Sequence, residues 1–358
     1  MRSKVGHVFK VSFIIVNALV VLAMVVSAYS SFLPPQNYPN WSYLGLCFPI
    51  FLVLTILFIP FWLVVNYRYV FIPLLGLLSC YWAVRAYFPI NLPCELSHPT
   101  VKVMSYNTMM FGNVSKVKWE GNPVAKYINA SGADIVCLQE VGGLKDAMDK
   151  GLVRFDDYPY CVLDSDKRDG LACLSKYPIL SSKKIDYYSR GKNCSYAYEI
   201  LIGTDTVLLI NNHFESYRLS AEDKQQYKDL IQNADEIDVE GNYGALTSKL
   251  VASNKIKGLQ VDAVASFIDE NVDRYDYVIV CGDFNDSPIS YAHHRFSKHL
   301  DDAFTMAGNG LGFSYRRSGM FFRLDHILVS ESVKVYDSYV DGDIDASDHQ
   351  PIYCMFNL

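Results

Sequence analysis

Hydrophobic residues follow two patterns along this chain. Through residue 88 they form long unbroken runs, near 9–31, 43–65 and 70–88, each close to the ~20 apolar residues that carry a helix across a bilayer. Beyond residue 100 the runs are short and strand-like, at 101–106, 134–139, 158–163, 170–175, 195–202, 205–212, 275–282, 324–329 and 351–356. Two helical patterns interrupt them. One covers 123–131, opening after Asn122 with Pro123 in its first turn. The other covers 254–270, with Ile256, Leu259, Ala263 and Phe267 along one face. Many strands, few helices and hairpin-length gaps predict two packed, mostly antiparallel sheets with helices outside, rather than one doubly wound sheet. A polar stretch opens with a capping-box pattern from Ser220 to Asp223 and runs through ADEIDVEG at 234–241. It reads as a solvated helix and acidic loop.

Charge divides the chain at the same place. Residues 1–96 hold only Arg2, Lys4, Lys10, Arg68 and Arg85 against Glu95, so removing their +4 from the formal −6 leaves about −10 on residues 97–358. The expected organisation is a membrane anchor of three spanning helices over 1–96, followed by an acidic globular domain over 97–358. Lysine and arginine lie before the first run and between the second and third, while the 32–42 connection has none. That asymmetry places the N-terminus in the cytoplasm and, after three crossings, the globular domain on the outer side. The nine cysteines do not fix the compartment, and no protein partner can be inferred.

Five polar signatures mark the ends of apolar runs: KVMSYNTMMFG at 102–112, ADIVCLQEV at 133–141, TVLLINNHFES at 206–216, VIVCGDFND at 278–286, and the closing pair RLDHILVS at 323–330 with SDHQPIY at 347–353. A sheet delivers such terminal polar side chains to a cleft. In GDFND, Asp283 and Asn285 are two apart and share a face if the strand continues, offering a carboxylate to position water and an amide to contact a phosphoryl oxygen. Glu140 and Asn107 supply oxygen donors which, with Asp348, suit Mg²⁺ or Mn²⁺. Asp325 and His349 make a carboxylate–imidazole pair able to fix a tautomer, and His213 adds a second imidazole. His326 follows Asp325 directly and so points away from the cleft on a strand. His7, His98, His293, His294 and His299 stand in no motif.

The order N…QE…NxH…GDFN…RxDHIL…SDH resembles the endonuclease/exonuclease/phosphatase superfamily over roughly 100–358. The resemblance implies a four-layer α/β sandwich and Mg²⁺- or Mn²⁺-dependent hydrolysis of a phosphoester. It assigns Asn107, Glu140 and Asp348 to the metal site and His213, Asp283, Asn285, Asp325 and His349 to catalysis. Asn212 stands where many members carry Thr or Ser. The expected protein is a membrane-anchored phosphodiesterase or phosphatase, acting on lipid headgroups or small phosphoesters, with the bilayer as its partner. The alternatives are a nuclease, which the acidic balance disfavours, and a binding protein that keeps the fold without turnover.

Overall fold

The computed structural model of the chain describes residues 2–94, 100–113, 119–165, 170–191, 193–217, 222–223, 242–317 and 319–358. The capping box beginning at Ser220 and the acidic stretch 234–241 lie outside these residues. Among the described residues, fourteen strands form: β1 (Val101–Asn107), β2 (Ile135–Gln139), β3 (Tyr160–Ser165), β4 (Gly170–Ser175), β5 (Ile179–Ile185), β6 (Ser195–Ile202), β7 (Asp205–His213), β8 (Tyr277–Asp283), β9 (Leu300–Asp302), β10 (Tyr315–Arg317), β11 (Met320–Phe322), β12 (Asp325–Ser330), β13 (Lys334–Val340) and β14 (Ile352–Asn357).

Alternating burial folds these strands into two six-stranded sheets, ordered β13-β14-β1-β2-β4-β3 and β5-β6-β7-β8-β12-β9, with β10–β11 as a separate hairpin. Each sheet holds one parallel pair, β1–β2 and β7–β8, among antiparallel neighbours. The inner faces pack Val103, Ile135, Tyr198, Leu209, Ile279, Ile327 and Phe356 against one another. The helices Pro123–Ala130 and Leu144–Asp149 cover one outer face. Asn242–Asn271 and Tyr291–Phe296 cover the other. The result is the expected four-layer α/β sandwich.

The sheets are also joined by a buried amide bridge. Gln139 on β2 donates to Asn211 Oδ1 on β7 at 2.7 Å, and Asn211 Nδ2 donates back to the carbonyls of Leu138 at 3.1 Å and Ala172 at 3.2 Å. Buried amides are costly without partners, so this bridge fixes how one sheet sits on the other.

Two expected features differ from the structure. The buried face of the long helix is not the one drawn through Leu259, which is 50% exposed. Ser253, Lys257, Gln260, Val264 and Ile268 point inward instead, and the two longest of these polar side chains are held by hydrogen bonds described below. The third apolar run is not one straight helix. It forms Phe71–Ser79 and Tyr81–Tyr87, and the stretch Tyr67–Ser79 meets Tyr81–Tyr87 at a bend of 71°.

Two helical stretches, His7–Phe32 and Pro39–Val65, are long and apolar enough to cross a membrane, and a third crossing exists only if the bent pair counts as one. Phe71–Ser79 packs closely on the first of them: a Cβ on Gly76 would lie 2.6 Å from Val21 Cγ1. Trp62 Nε1 donates to Asn17 Oδ1 at 2.8 Å, which satisfies two polar groups inside the bundle. Outward, Leu22, Leu57, Val64 and Leu78 are exposed. The bundle meets the sandwich at one end. Ile289 joins the cluster of Met24, Ala28 and Phe48, Gln36 donates to Asp262 Oδ2 at 2.6 Å, and Phe32 packs on the His294 ring at 4.2 Å.

Candidate active site

The parallel pairs set the site. β1, β2, β7 and β8 all end at the same edge of the sandwich, and antiparallel β12 begins there. Register places Asn107 beside Gln139, His213 beside Asp283, and Asp325 opposite Asp283. Polar residues that end apolar runs in distant parts of the sequence thereby converge.

Asn107 Nδ2 donates to Glu140 Oε1 at 3.2 Å and to Asp283 Oδ2 at 3.0 Å. His213 Nε2 lies 3.8 Å from both carboxylates. His349 Nδ1 is 2.8 Å from Asp325 Oδ2, and its Nε2 faces Asp283 Oδ2 at 3.7 Å. Ser314 Oγ accepts from the Leu324 and Asp325 amides at 3.0 Å each and so fixes the start of β12. Asn285 donates from Nδ2 to the Phe214 carbonyl at 3.0 Å. Asp348 reaches the same cavity but pairs with Arg317 at 2.8 Å.

Backbone strain gathers at this edge. Glu140 and Asn285 have φ of 52° and 50°, and Met109, Met110 and Phe111 between 46° and 55°, a region that costs non-glycine residues of order 1 kcal/mol or more each. Gly282 has φ 129°, and a Cβ there would sit 2.0 Å from the Asn212 carbonyl oxygen. The glycine of GDFND is therefore what lets β8 approach β7 closely enough to set Asp283 beside His213.

The electrostatics follow from burial and crowding. Burial is the largest influence on Asp283 and raises its pKa; Asp325 adds to the rise, while His349, His213 and the Asn107 hydrogen bond oppose it. Burial opposes the charged form of His349, but Asp325, Asp283 and Asp348 outweigh it and hold that imidazole well above its ordinary range.

The residues suit a hard divalent ion. Glu140 and Asp283 converge on a single neutral amide nitrogen, an arrangement of negative charge that a cation would relieve, and oxygen donors match Mg²⁺ or Mn²⁺. Asn107 turns its nitrogen toward the carboxylates while its Oδ1 accepts from the Met109 amide at 3.1 Å. It serves as an oxygen ligand only after its amide turns over.

Some supporting groups are not announced by the motifs. Lys257, wholly buried, donates to the Asn285 carbonyl at 2.5 Å and to Asp286 Oδ2 at 3.2 Å, with its ammonium 3.9 Å from the Tyr217 ring centroid. Burial lowers its pKa, against the pull of Asp286. Gln260 accepts from the Glu215 amide at 2.8 Å and donates to the Tyr188 carbonyl at 3.1 Å. Together they brace the loops that follow Asp283 and His213. Tyr315 sets its ring edge-on to His349 at 5.1 Å. Lys257 and Gln260 both lie off the stripe of Ile256, Leu259, Ala263 and Phe267, so the sequence carried no signal for them.

The cavity above these groups measures about 340 Å³. Its floor is Glu140, His213, Asp283, Asn285 and His349; its walls include Met109, Leu250, Met320, Phe322, and Leu46 from the beginning of the second helical stretch.

The geometry is that of a four-layer α/β sandwich with a polar cleft at one edge, and comparison with known proteins places the chain in a family. The sequence model described as Endonuclease/Exonuclease/phosphatase family matches residues 104–349, and a second, described as a domain of unknown function (DUF8431), matches residues 10–87. The chain belongs to the endonuclease/exonuclease/phosphatase family. Among solved structures, the human Nocturnin catalytic domain, with a bound sulfate anion, is similar at 17% identity and a TM-score of 0.53, over 75% of this chain and 99% of that one. An endonuclease/exonuclease/phosphatase from Bacteroides vulgatus gives 14% identity and 0.53, over 73% and 100%. A humanized D. rerio TDP2 gives 16% and 0.50, over 72% and 99%. At these identities the likeness concerns the fold. No curated protein matches the chain.

Proposed function

We propose that the chain is a membrane-anchored, Mg²⁺- or Mn²⁺-dependent hydrolase of phosphoesters carried on apolar groups at a bilayer surface. One observation carries this reading: the cavity has a charged floor and an apolar wall, and Leu46 of the N-terminal helical region belongs to that wall. Such a cavity suits a substrate with a phosphate at one end and hydrocarbon at the other.

In this reading residues 1–96 anchor and residues 97–358 catalyse. Glu140, Asn107 and Asp348 would hold the metal, which would supply positive charge to the phosphoryl oxygens. Asp283, its proton affinity raised by burial, accepts a proton from the attacking water. His349, kept protonated by its three carboxylate neighbours and oriented by Asp325, donates toward the phosphoryl group. His213 and Asn285 contact the same oxygens.

We place the N-terminus on the cytoplasmic side and the sandwich outside. That side rests on the placing of lysine and arginine, and three contacts support the number of crossings. Phe13 stacks on Phe61 at 4.8 Å, Tyr29 donates to the Ser79 carbonyl at 3.1 Å, and Arg323 donates to the Ala86 carbonyl. The second helix thus returns toward the N-terminus, and the bent pair runs back to the sandwich. A C-terminal reporter active only in the cytoplasm would reverse this assignment.

The test compares hydrolysis by the full chain in vesicles, with Mg²⁺, of a lipid-linked phosphoester, its soluble headgroup analogue and duplex DNA. The lipid-linked substrate is expected to be cleaved fastest, and Leu46→Glu to lower that rate roughly tenfold while leaving the soluble analogue within a few-fold. Faster cleavage of DNA than of either phosphoester replaces this reading with a nuclease.

A further inference from the structure

On the opposite side of β12 from the cleft, His293, Asp302 and His326 form a second cluster whose donor atoms all lie within 4.8 Å of one another. They come from the helix Tyr291–Phe296, from β9 and from β12. His293 Nε2 is 3.3 Å from Asp302 Oδ2, and His326 Nδ1 is 3.7 Å from the same oxygen. Donors at about 2.0–2.1 Å around a tetrahedral ion stand roughly 3.4 Å apart. Two of the donor separations, 3.3 and 3.7 Å, bracket that edge length, and all three lie within 4.8 Å.

The hydrogen bonding around the cluster points the same way. His326 Nε2 is 3.0 Å from the Asp286 carbonyl, which can only accept, so this nitrogen carries a proton and Nδ1 is left to face the cluster. The His326 side chain is fully buried, and Nδ1 has no hydrogen-bond partner. At 3.7 Å it is too far from Asp302 for a hydrogen bond. Ser290 Oγ lies 3.0 Å from His293 Nδ1, on the ring's far side. Asp302 Oδ1 accepts from the Thr305 amide at 2.6 Å, which turns Oδ2 inward. Each inward donor thus has an outer partner that orients it, as metal-binding imidazoles and carboxylates do.

We propose that His293, Asp302 and His326 bind a Zn²⁺-class ion, at a site separate from the catalytic cleft. Two imidazole nitrogens and one carboxylate oxygen favour zinc or cobalt over magnesium or calcium. His293 and Asp302 also line a cavity of about 290 Å³ that Phe32 and Trp82 of the N-terminal helices border, from which a water could complete the site. Arg323 is the neighbouring buried cation; its guanidinium lies 4.6 Å from the Phe304 ring and donates to the Ala86 carbonyl. The ion would tie three segments of the sandwich together directly beneath the joint with those helices.

The full chain in detergent micelles, stripped with chelator, is titrated with Co²⁺ in excess Mg²⁺. The expected result is one equivalent with the strong visible absorption of a tetrahedral site, displaced by Zn²⁺. Affinity should fall roughly 100-fold in His293→Ala and in Asp302→Asn and stay unchanged in Glu140→Gln. A wild-type chain with no such equivalent overturns the proposal whether or not the variants fold. So does an equivalent that survives both cluster substitutions or is lost in Glu140→Gln.

Discussion

Asp325 and His326 are neighbours on one strand, yet they serve clusters of similar composition and opposite electrostatic character. On the Asp325 side, three carboxylates surround His349 and hold its imidazole in the charged form. On the His326 side, burial comes first for His293, and His326 and Arg323 add to it against Asp302, so its pKa is pushed down to about 4. Burial opposes the charged form of both imidazoles, so the balance of carboxylates and cations around each is what separates them.

The comparison breaks most visibly in turnover. Asp283→Asn and Glu140→Gln should each lower phosphoester hydrolysis roughly 10³-fold with little change in melting temperature. His293→Ala should leave turnover within a few-fold. Comparable losses from both clusters would show that they do not act separately.

Gly282→Ala tests how closely the cleft depends on strand approach. With a Cβ 2.0 Å from the Asn212 oxygen, denaturant titration should record a loss of about 3 kcal/mol or more.

Stability against pH, measured on chelated protein, should sharpen the contrast. The folded pKa of His349 is raised, so its contribution is complete below about 6.5 and disappears as pH rises through the folded value. His293 is depressed: as pH falls from about 6.5 toward about 4 the unfolded chain takes up a proton that the folded chain refuses, and stability drops. Asp325→Asn should flatten the alkaline limb alone, and His293→Gln the acid limb alone, by on the order of 2 kcal/mol.

The smallest expected effect is Asp269→Asn. This carboxylate pairs with Lys298 and His299 at 2.7 Å each on an exposed surface. Its loss should cost under about 1 kcal/mol, fading with added salt.

The polar cluster at the cleft was legible in the sequence because its members sit at the ends of apolar runs: Asn107, Glu140, His213 and Asp283 close strands, while Asp325, Asp348 and His349 stand at or before the start of others. Asn107, Glu140, His213, Asp283, Asn285, Asp325, Asp348 and His349 are all placed at that edge. The four layers were legible for the same reason. β5 was not, since its five positions from Leu180 to Lys184 are exposed and polar enough to read as loop. The bend between Ser79 and Tyr81 left no trace, because hydropathy does not register direction. Lys257 and Gln260 resemble surface residues until their buried partners are known. The cluster of His293 was the least legible: its members come from separate segments, and none closes an apolar run.

Gln139 and Asn211, which couple the two sheets, bear on how such a chain can change over time. Replacing Gln139 alone takes the donor from Asn211 Oδ1 inside the sandwich, and replacing Asn211 alone takes one acceptor from Gln139, so a single step at either position carries a cost. Relatives that retain this sandwich should therefore either keep both amides or exchange both together for a pair of matching shape. Joint variation at these two positions, which touch no substrate, would mark lineages in which the sheets have found a second way to lock.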